Sequence, residues 1–148
     1  MAQGTLLFVD NFSESLSKGN HNLAPAGDTI KVMLISEGVA SVLTSSVDSS
    51  AFTEVSGGGY TAGGVALTNT LSETGGTTTF GSSVNPSWTQ NGSGPTNIKT
   101  ALIYNTIAAS EDLIAYIDMT VDGGTTAISL QSGDISITFA GGVIGTIG

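Results

Sequence analysis

The chain contains no cysteine, no arginine and a single histidine, His21. Without Cys there is no disulfide scaffold, no thiolate-ligated zinc or iron–sulfur centre and no cysteine nucleophile, and the redox compartment stays open. A chain of 148 residues needs no such support. At that length roughly 70% of the surface exposed by the unfolded form can be buried, enough for one core but not for a second full domain.

Charge is equally scarce. Only 10% of the residues are charged, against about 25% in an average soluble domain. Three Lys face 12 acidic residues, for a formal net charge of −9. Lys18, Lys31 and Lys99 are too few and too far apart to form the basic stripe with which a nucleic-acid binder displaces counterions, and they do not favour an anionic membrane surface. Long hydrophobic runs are missing too. Met1 to Asp10 lacks the basic region of a secretory signal and offers only Leu6 to Val9 as an apolar stretch. Ile135 to Gly148 is interrupted by Ser, Thr and Gly and falls short of the about 20 residues of a bilayer crossing.

What the chain has instead is hydroxyl groups. It carries 20 Thr and 19 Ser beside 21 Gly, a mixture common in sheet proteins with many turns. From Thr74 to Ile98 no formal charge occurs over 25 residues. Phe80, Val84 and Trp88 recur inside that stretch, and a flexible linker would have no use for them.

One helix is marked near the start. Asn11 and Glu14 have the spacing of a capping box, Phe12 and Leu16 form an i, i+4 apolar stripe, and Lys18 followed by Gly19 marks the end. At about two turns it must dock on something larger. Strands are expected at Thr29 to Ile35, Val65 to Leu71, Thr77 to Phe80, Lys99 to Tyr104, Leu113 to Met119 and Thr126 to Leu130. Gly75-Gly76 marks a hairpin, Ala108 to Asp112 and Asp122-Gly123-Gly124 mark turns, and Ser129 to Phe139 is expected to form a last hairpin around Gly133-Asp134. Ala40 to Val55 fits either a short helical turn or an irregular loop. Short strands at intervals near ten residues, without a βαβ rhythm, predict an all-β fold, an antiparallel β-sandwich or jelly roll with one short N-terminal helix. The expected organisation is a single β domain over residues 1–148, with an N-terminal helix and docking arm at 1–27 and the β-sandwich at 28–148.

Reactive groups are few. Gly57 to Gly64 contains G-x-G-x-x-A, but strand-like residues follow where a phosphate cradle needs a helix, so a tight backbone crossing with Tyr60 as packing anchor is expected. His21 has no second His or Cys with which to hold zinc. As a general base it would need Asp28 or Glu14 beside it, and no G-x-S-x-G motif is present. Glu111-Asp112 and Asp118 with Asp122 lack calcium-loop spacing. Trp88 with Tyr60, Tyr104 and Tyr116 could form a sugar platform, although aromatics on strands more often serve a core or subunit interface. Asn11-Phe12-Ser13 and Asn91-Gly92-Ser93 match the glycosylation triplet, which means little without a secretion signal. No catalytic, cofactor or metal-ligating residues are expected.

Several segments in order resemble one family. These are Asn11-Phe12 leading to Lys18-Gly19-Asn20-His21-Asn22-Leu23, then Asp28 to Val32, Gly58 to Gly64, Ala101 to Asn105 and Leu113 to Asp118. Together they resemble the head decoration, or cement, proteins of tailed bacteriophages, from which this chain departs in being richer in Ser, Thr and Gly. The resemblance implies an antiparallel β fold, made in the host cytoplasm and assembled as homotrimers on the capsid exterior, with the major capsid protein as partner and no catalytic residues. On that view the helix at Phe12 and Leu16 and the loop from His21 to Ala26 dock on the shell or a neighbouring subunit. The candidate interface residues are Phe12, Leu16, His21, Asn22, Tyr60 and Trp88. The alternatives are a tail or fibre component recognising a host surface glycan through Trp88, and a virion glycan hydrolase.

Overall fold

Runs of aliphatic and β-branched residues become strands here, and pairs of glycine become the turns between them. The computed structural model describes residues 2–42 and 48–148. Its strands are β1 (Leu6–Phe8), β2 (Ile30–Ile35), β3 (Val65–Ala66), β4 (Asn69–Thr74), β5 (Thr77–Ser82), β6 (Ser87–Trp88), β7 (Thr100–Asn105), β8 (Leu113–Asp118), β9 (Ile135–Ser136) and β10 (Val143–Ile147). Among the described residues a single short α-helix, α1 (Phe12–Ser17), occurs, following β1. All strand pairs are antiparallel, in a five-stranded sheet of order β1-β8-β7-β2-β3, a three-stranded sheet β10-β5-β4 and a two-stranded ribbon β6-β9. The fold is all-β and sandwich-like, and no helix among the described residues is long and apolar enough to cross a membrane.

The five-stranded sheet is covered on both faces, which is why β7 and β8 are buried at every position instead of alternating. Residues directly opposite one another share a face. One face therefore carries Leu6, Phe8, Val32, Leu34, Ala101, Ile103, Ala115 and Ile117. It looks toward the smaller sheets, where Phe80 is fully buried and Gly145 presses on the Phe8 ring so closely that no side chain would fit. The other face carries Met33, Ile35, Thr100, Leu102 and Tyr116 and lies under the β2–β3 connection. That connection is tied near its start by the Thr100 hydroxyl donating to the carbonyl of Glu37, and near its middle by Ser49, whose backbone N–H donates to Asp112.

Most expected elements form where the sequence puts them, and the departures have local causes. Asn11 is helical (φ −79°, ψ −4°) and makes no side-chain cap, because an N-cap side chain reaches back only from an extended backbone. Glu14 consequently closes no capping box and pairs with Lys18 at 2.9 Å. Gly19 ends the helix at φ +82°, as expected. The expected strand over Val65 to Leu71 is divided: β3 pairs with β2, and β4 starts at Asn69 against β5 in the other sheet. Gly75 and Gly76 turn the β4–β5 hairpin with φ of +61° and +87°.

The last expected hairpin is not formed. Ile128 makes only an isolated bridge to Ile98, and the N–H of Leu130 donates to the carbonyl of Pro95. Ser129 then turns the chain, accepting from Ser132 N–H through its carbonyl and from Gln131 N–H through its hydroxyl. Ile135 is thereby delivered to Trp88 in β6. The ambiguous stretch from Ala40 to Val55 holds single 3-10 turns at Val39–Ser41 and Ser49–Ala51, and its residues 43–47 lie outside the described ones.

Candidate functional site

The densest polar cluster in the interior gathers at the junction of α1, the loop after it and the far end of β7. Ser15 comes from the buried side of α1, Asn20 and His21 from the loop, Asn105 from the last position of β7 and Asp28 from the approach to β2. His21 is 6% exposed. Its Nδ1 lies 3.2 Å from Asn105 Nδ2, and its Nε2 lies 3.2 Å from Ser15 Oγ. The Asn105 amide cannot turn over, because its Oδ1 accepts from Ile107 N–H at 2.9 Å and its Nδ2 donates to Asp28 Oδ2 at 2.7 Å. An amide nitrogen only donates, and the second Asn105 hydrogen is shared between the Asn20 carbonyl and His21 Nδ1, both at 3.2 Å, an arrangement that favours Nδ1 as the accepting nitrogen and the proton on Nε2. Ser15 Oγ accepts from Nε2–H and from Asn20 Nδ2 at 3.1 Å, and donates to the carbonyl of Glu111 at 3.2 Å.

That tautomer matters chemically. A general base for a serine needs a free lone pair on the nitrogen facing the hydroxyl, and here that nitrogen bears a hydrogen. Ser15 is 1% exposed besides. The pair is a structural hydrogen bond and offers no activated nucleophile. Burial pushes the His21 imidazole below its ordinary value, against the opposing pull of Asp28, Asp112 and Glu111. Lys18 bridges Glu14 and Glu111 at 2.9 and 3.0 Å on the surface above it, and its charge holds the Glu111 carboxyl low.

The glycine segment forms the backbone crossing that its composition implies. Gly64, at φ +77°, lies against the carbonyl of Val32, and a side chain there would run into that oxygen. Tyr60 anchors the crossing from inside: its hydroxyl accepts from Leu34 N–H at 3.0 Å and donates to Glu54 Oε1 at 2.8 Å. Glu54 also accepts from Gly63 N–H, whose own carbonyl accepts from Tyr104. Burial raises the phenols of Tyr60 and Tyr104 above the usual range. Val65–Ala66 after it is strand, so no helix dipole is available to a phosphate.

Of the six candidate interface residues, four are interior. Phe12, His21, Tyr60 and Trp88 are 3%, 6%, 9% and 5% exposed, while Leu16 is half-buried and Asn22 is exposed. Phe12 stacks on Phe8 at 4.6 Å between ring centroids, and Trp88 stacks on Tyr60 at 6.2 Å. Large aromatic rings next to a sheet bury more apolar area inside the fold than any surface would offer them. Tyr104 and Tyr116 are buried as well, so these four rings present no stacking face for a sugar. The acidic clusters are engaged locally: Asp112 accepts from Ser49, Asp118 from Thr120 through Oδ1 alone, its buried Oδ2 having no partner, and Asp122 from Thr125 and Thr126. Among the described residues no three His, Cys, Asp or Glu side chains converge on a metal position.

Besides a groove of about 600 Å³ bounded by Leu6, Ile117, Ile135, Ile137, Phe139 and Ile144, the surface carries two further features. A groove of about 330 Å³ runs between the loop after α1 and the β4–β5 hairpin, lined by Leu16, His21, Leu23, Leu71, Thr78 and Ile147. The outer face of the three-stranded sheet presents Thr70, Ser72, Thr74, Thr77, Thr79 and Thr146 beside the exposed Val143, with Ser72, Thr79 and Thr146 in one cross-strand row. Glu73, the charged residue of this hairpin, belongs to the other face by alternation. This uncharged hydroxyl face escaped the sequence pattern because it is assembled from three strands. The Thr and Ser spacing in β4 and β5 was its visible part.

No protein-family model, no curated protein and no solved structure matches the chain.

Proposed function

We propose that this protein is a capsid decoration protein of a tailed bacteriophage, attached to the outer surface of the head and stabilising it by bridging capsid subunits as a homotrimer. The observation that carries this reading is the placement of the segments that resemble the cement proteins. Scattered from Asn11 to Asp118 in sequence, they gather into one unit: α1 and its loop, β2, the glycine crossing, β7 and β8, four of the five pieces being parts of or direct supports to a single sheet.

Two further features are consistent with cementing. The polar groups around His21 and Tyr60 are engaged in the fold's own hydrogen bonds, which leaves the surface as the part of the chain that this reading uses. The hydroxyl face on β4, β5 and β10 provides a broad docking patch without ion pairs, and salt screens charges far more than it weakens neutral hydrogen bonds. A shell that strains outward during DNA packing is held by such bridges, since separating two capsid subunits must also break the bridge. Trimer formation would in addition cover exposed edge strands, of which β4 is the longest.

The deciding measurement is the copy number of this protein relative to the major capsid protein in purified particles, by quantitative mass spectrometry. A ratio comparable to the shell protein is expected. A ratio typical of tail parts, or absence from particles, overturns the proposal.

A further inference from the structure

The His21 junction holds the N-terminal segment to the sheet through contacts that tolerate only the neutral ring. We infer that His21 is a proton-operated latch, closed when neutral and released on protonation, that controls whether α1 and its loop stay docked on the end of β7. The latch is a property of the chain alone and does not rest on the capsid reading.

The inference stands on donor and acceptor geometry. In the neutral ring Nδ1 accepts from Asn105 Nδ2 and Nε2–H donates to Ser15 Oγ. Protonation puts a hydrogen on Nδ1 that faces an amide nitrogen 3.2 Å away, donor against donor. Asn105 cannot relieve this by flipping, because Ile107 N–H holds its Oδ1 while Asp28 and the Asn20 carbonyl accept from its Nδ2. The imidazolium must move, and the side open to it is the groove beside Leu23 and Leu71 that the ring already lines. Moving it undoes the Ser15 bond and the tilted contact with Phe12, whose ring lies 5.7 Å away, and these are among the contacts that seat α1.

Charges around the ring come from each neighbouring element. Asp28 lies on the approach to β2, and Glu111 and Asp112 lie in the β7–β8 loop; all three favour the imidazolium, but burial outweighs them. Glu14 on α1 pairs with Lys18 just after the helix, and Lys18 also pairs with Glu111. Asp112 is engaged by Ser49, Asp28 by Asn22 N–H and Asn105, and Glu111 by Lys18 and Asn20. A released ring gains solvent and escapes the burial that disfavours its charge, so the open state takes up the proton more readily than the closed one.

Amide hydrogen exchange at pH 7.5 and pH 5.0, corrected for the intrinsic pH dependence of exchange, tests this on the purified full chain. An open state that titrates near 6.5 allows opening of residues 12–23 to rise by up to about 30-fold over this interval, while amides of β2 and β7 away from the junction keep their protection. His21→Gln supplies an acceptor and a donor without a titration, and its exchange in residues 12–23 should be the same at both values. If that variant does not fold, the wild-type ring decides by NMR: the expected signature is an Nε2–H tautomer and a titration below 6.5 coincident with the loss of protection. An unchanged protection of residues 12–23 at pH 5.0, an equal loss in His21→Gln, or an Nδ1–H tautomer at neutral pH each overturns the latch.

Discussion

Gly64 passes directly beneath the carbonyl oxygen of Val32, at φ +77°, where the chain enters the edge of the five-stranded sheet. Any Cβ at this position would meet that oxygen, and an L residue would be strained at that φ in any case. Gly64→Ala is therefore expected to cost about 2–4 kcal/mol, from backbone strain together with overpacking. Gly92→Ala is the internal control, since Gly92 has open space around it. Urea denaturation of the two variants checks both, and equal midpoints would mean that the crossing relaxes.

The Tyr60 hydroxyl satisfies two groups at once, Leu34 N–H and the Glu54 carboxylate. Tyr60→Phe should destabilise by about 1–3 kcal/mol, because the variant leaves a buried donor and a carboxylate oxygen without this partner. Tyr104→Phe removes one donor to the carbonyl of Gly63 and should cost less, about 1 kcal/mol. A reversed order in chemical denaturation would contradict the anchoring role given to Tyr60.

Trp88 is the residue on which a glycan-binding reading depends, and it is buried against Tyr60 and paired with Ile135. Trp88→Ala should cost about 3–5 kcal/mol in stability. The native protein's fluorescence, which comes from this one indole, should be blue-shifted and poorly quenched by iodide. Ready quenching would place the indole at the surface and revive sugar stacking.

How much of this could be read from the chain follows from the range of the interactions. β2, β7 and β8 were legible because continuous apolar runs bounded by turn residues need only local pattern. The Gly75-Gly76 hairpin was legible for the same reason. Pairing of Trp88 with Ile135 was not, since two-residue strands have no period of their own and their register is set by what the core leaves open. The His21 cluster was half visible: the lone His and its Asn neighbours stood out, but Asn105, 84 residues away, supplies the contact that fixes its tautomer. The capping box failed because its spacing says nothing about the backbone angles at Asn11.

Acid should weaken the fold in two stages. A folded-state value lowered below the unfolded one means that the His21 contribution is fully present above about 6.5 and is lost as pH falls below it. Glu111 and Asp122, held low by Lys18 and by the Thr125–Thr126 donors respectively, keep their contributions above the usual carboxylate range and lose them further down. The denaturation midpoint against pH should thus fall first below about 6.5 and again in the carboxylate range, with His21→Gln removing the first fall and Glu111→Gln diminishing the second. A single acid transition, unchanged in both variants, would refute this assignment.

The hydroxyl face and the loop after α1 make different predictions for attachment to particles. Ser72 and Thr146 are exposed and flank Thr79 in one row of the hydroxyl face. Lys at both positions should change stability by only about 0.5 kcal/mol each, as surface substitutions away from special features do. If docking uses neutral hydrogen bonds on this face, the wild-type protein stays on particles from low to high salt, whereas the double Lys variant binds less and its residual binding varies with salt. Deleting residues 1–22 is a poor substitute for this experiment, because it removes β1 from the edge of β8 and Phe12 from the core. Leu16→Ser and Asn22→Ala probe the loop side while leaving β1 in place. Loss of attachment in those two variants with full attachment of the Lys variant would move the docking surface from the three-stranded sheet to α1 and its loop.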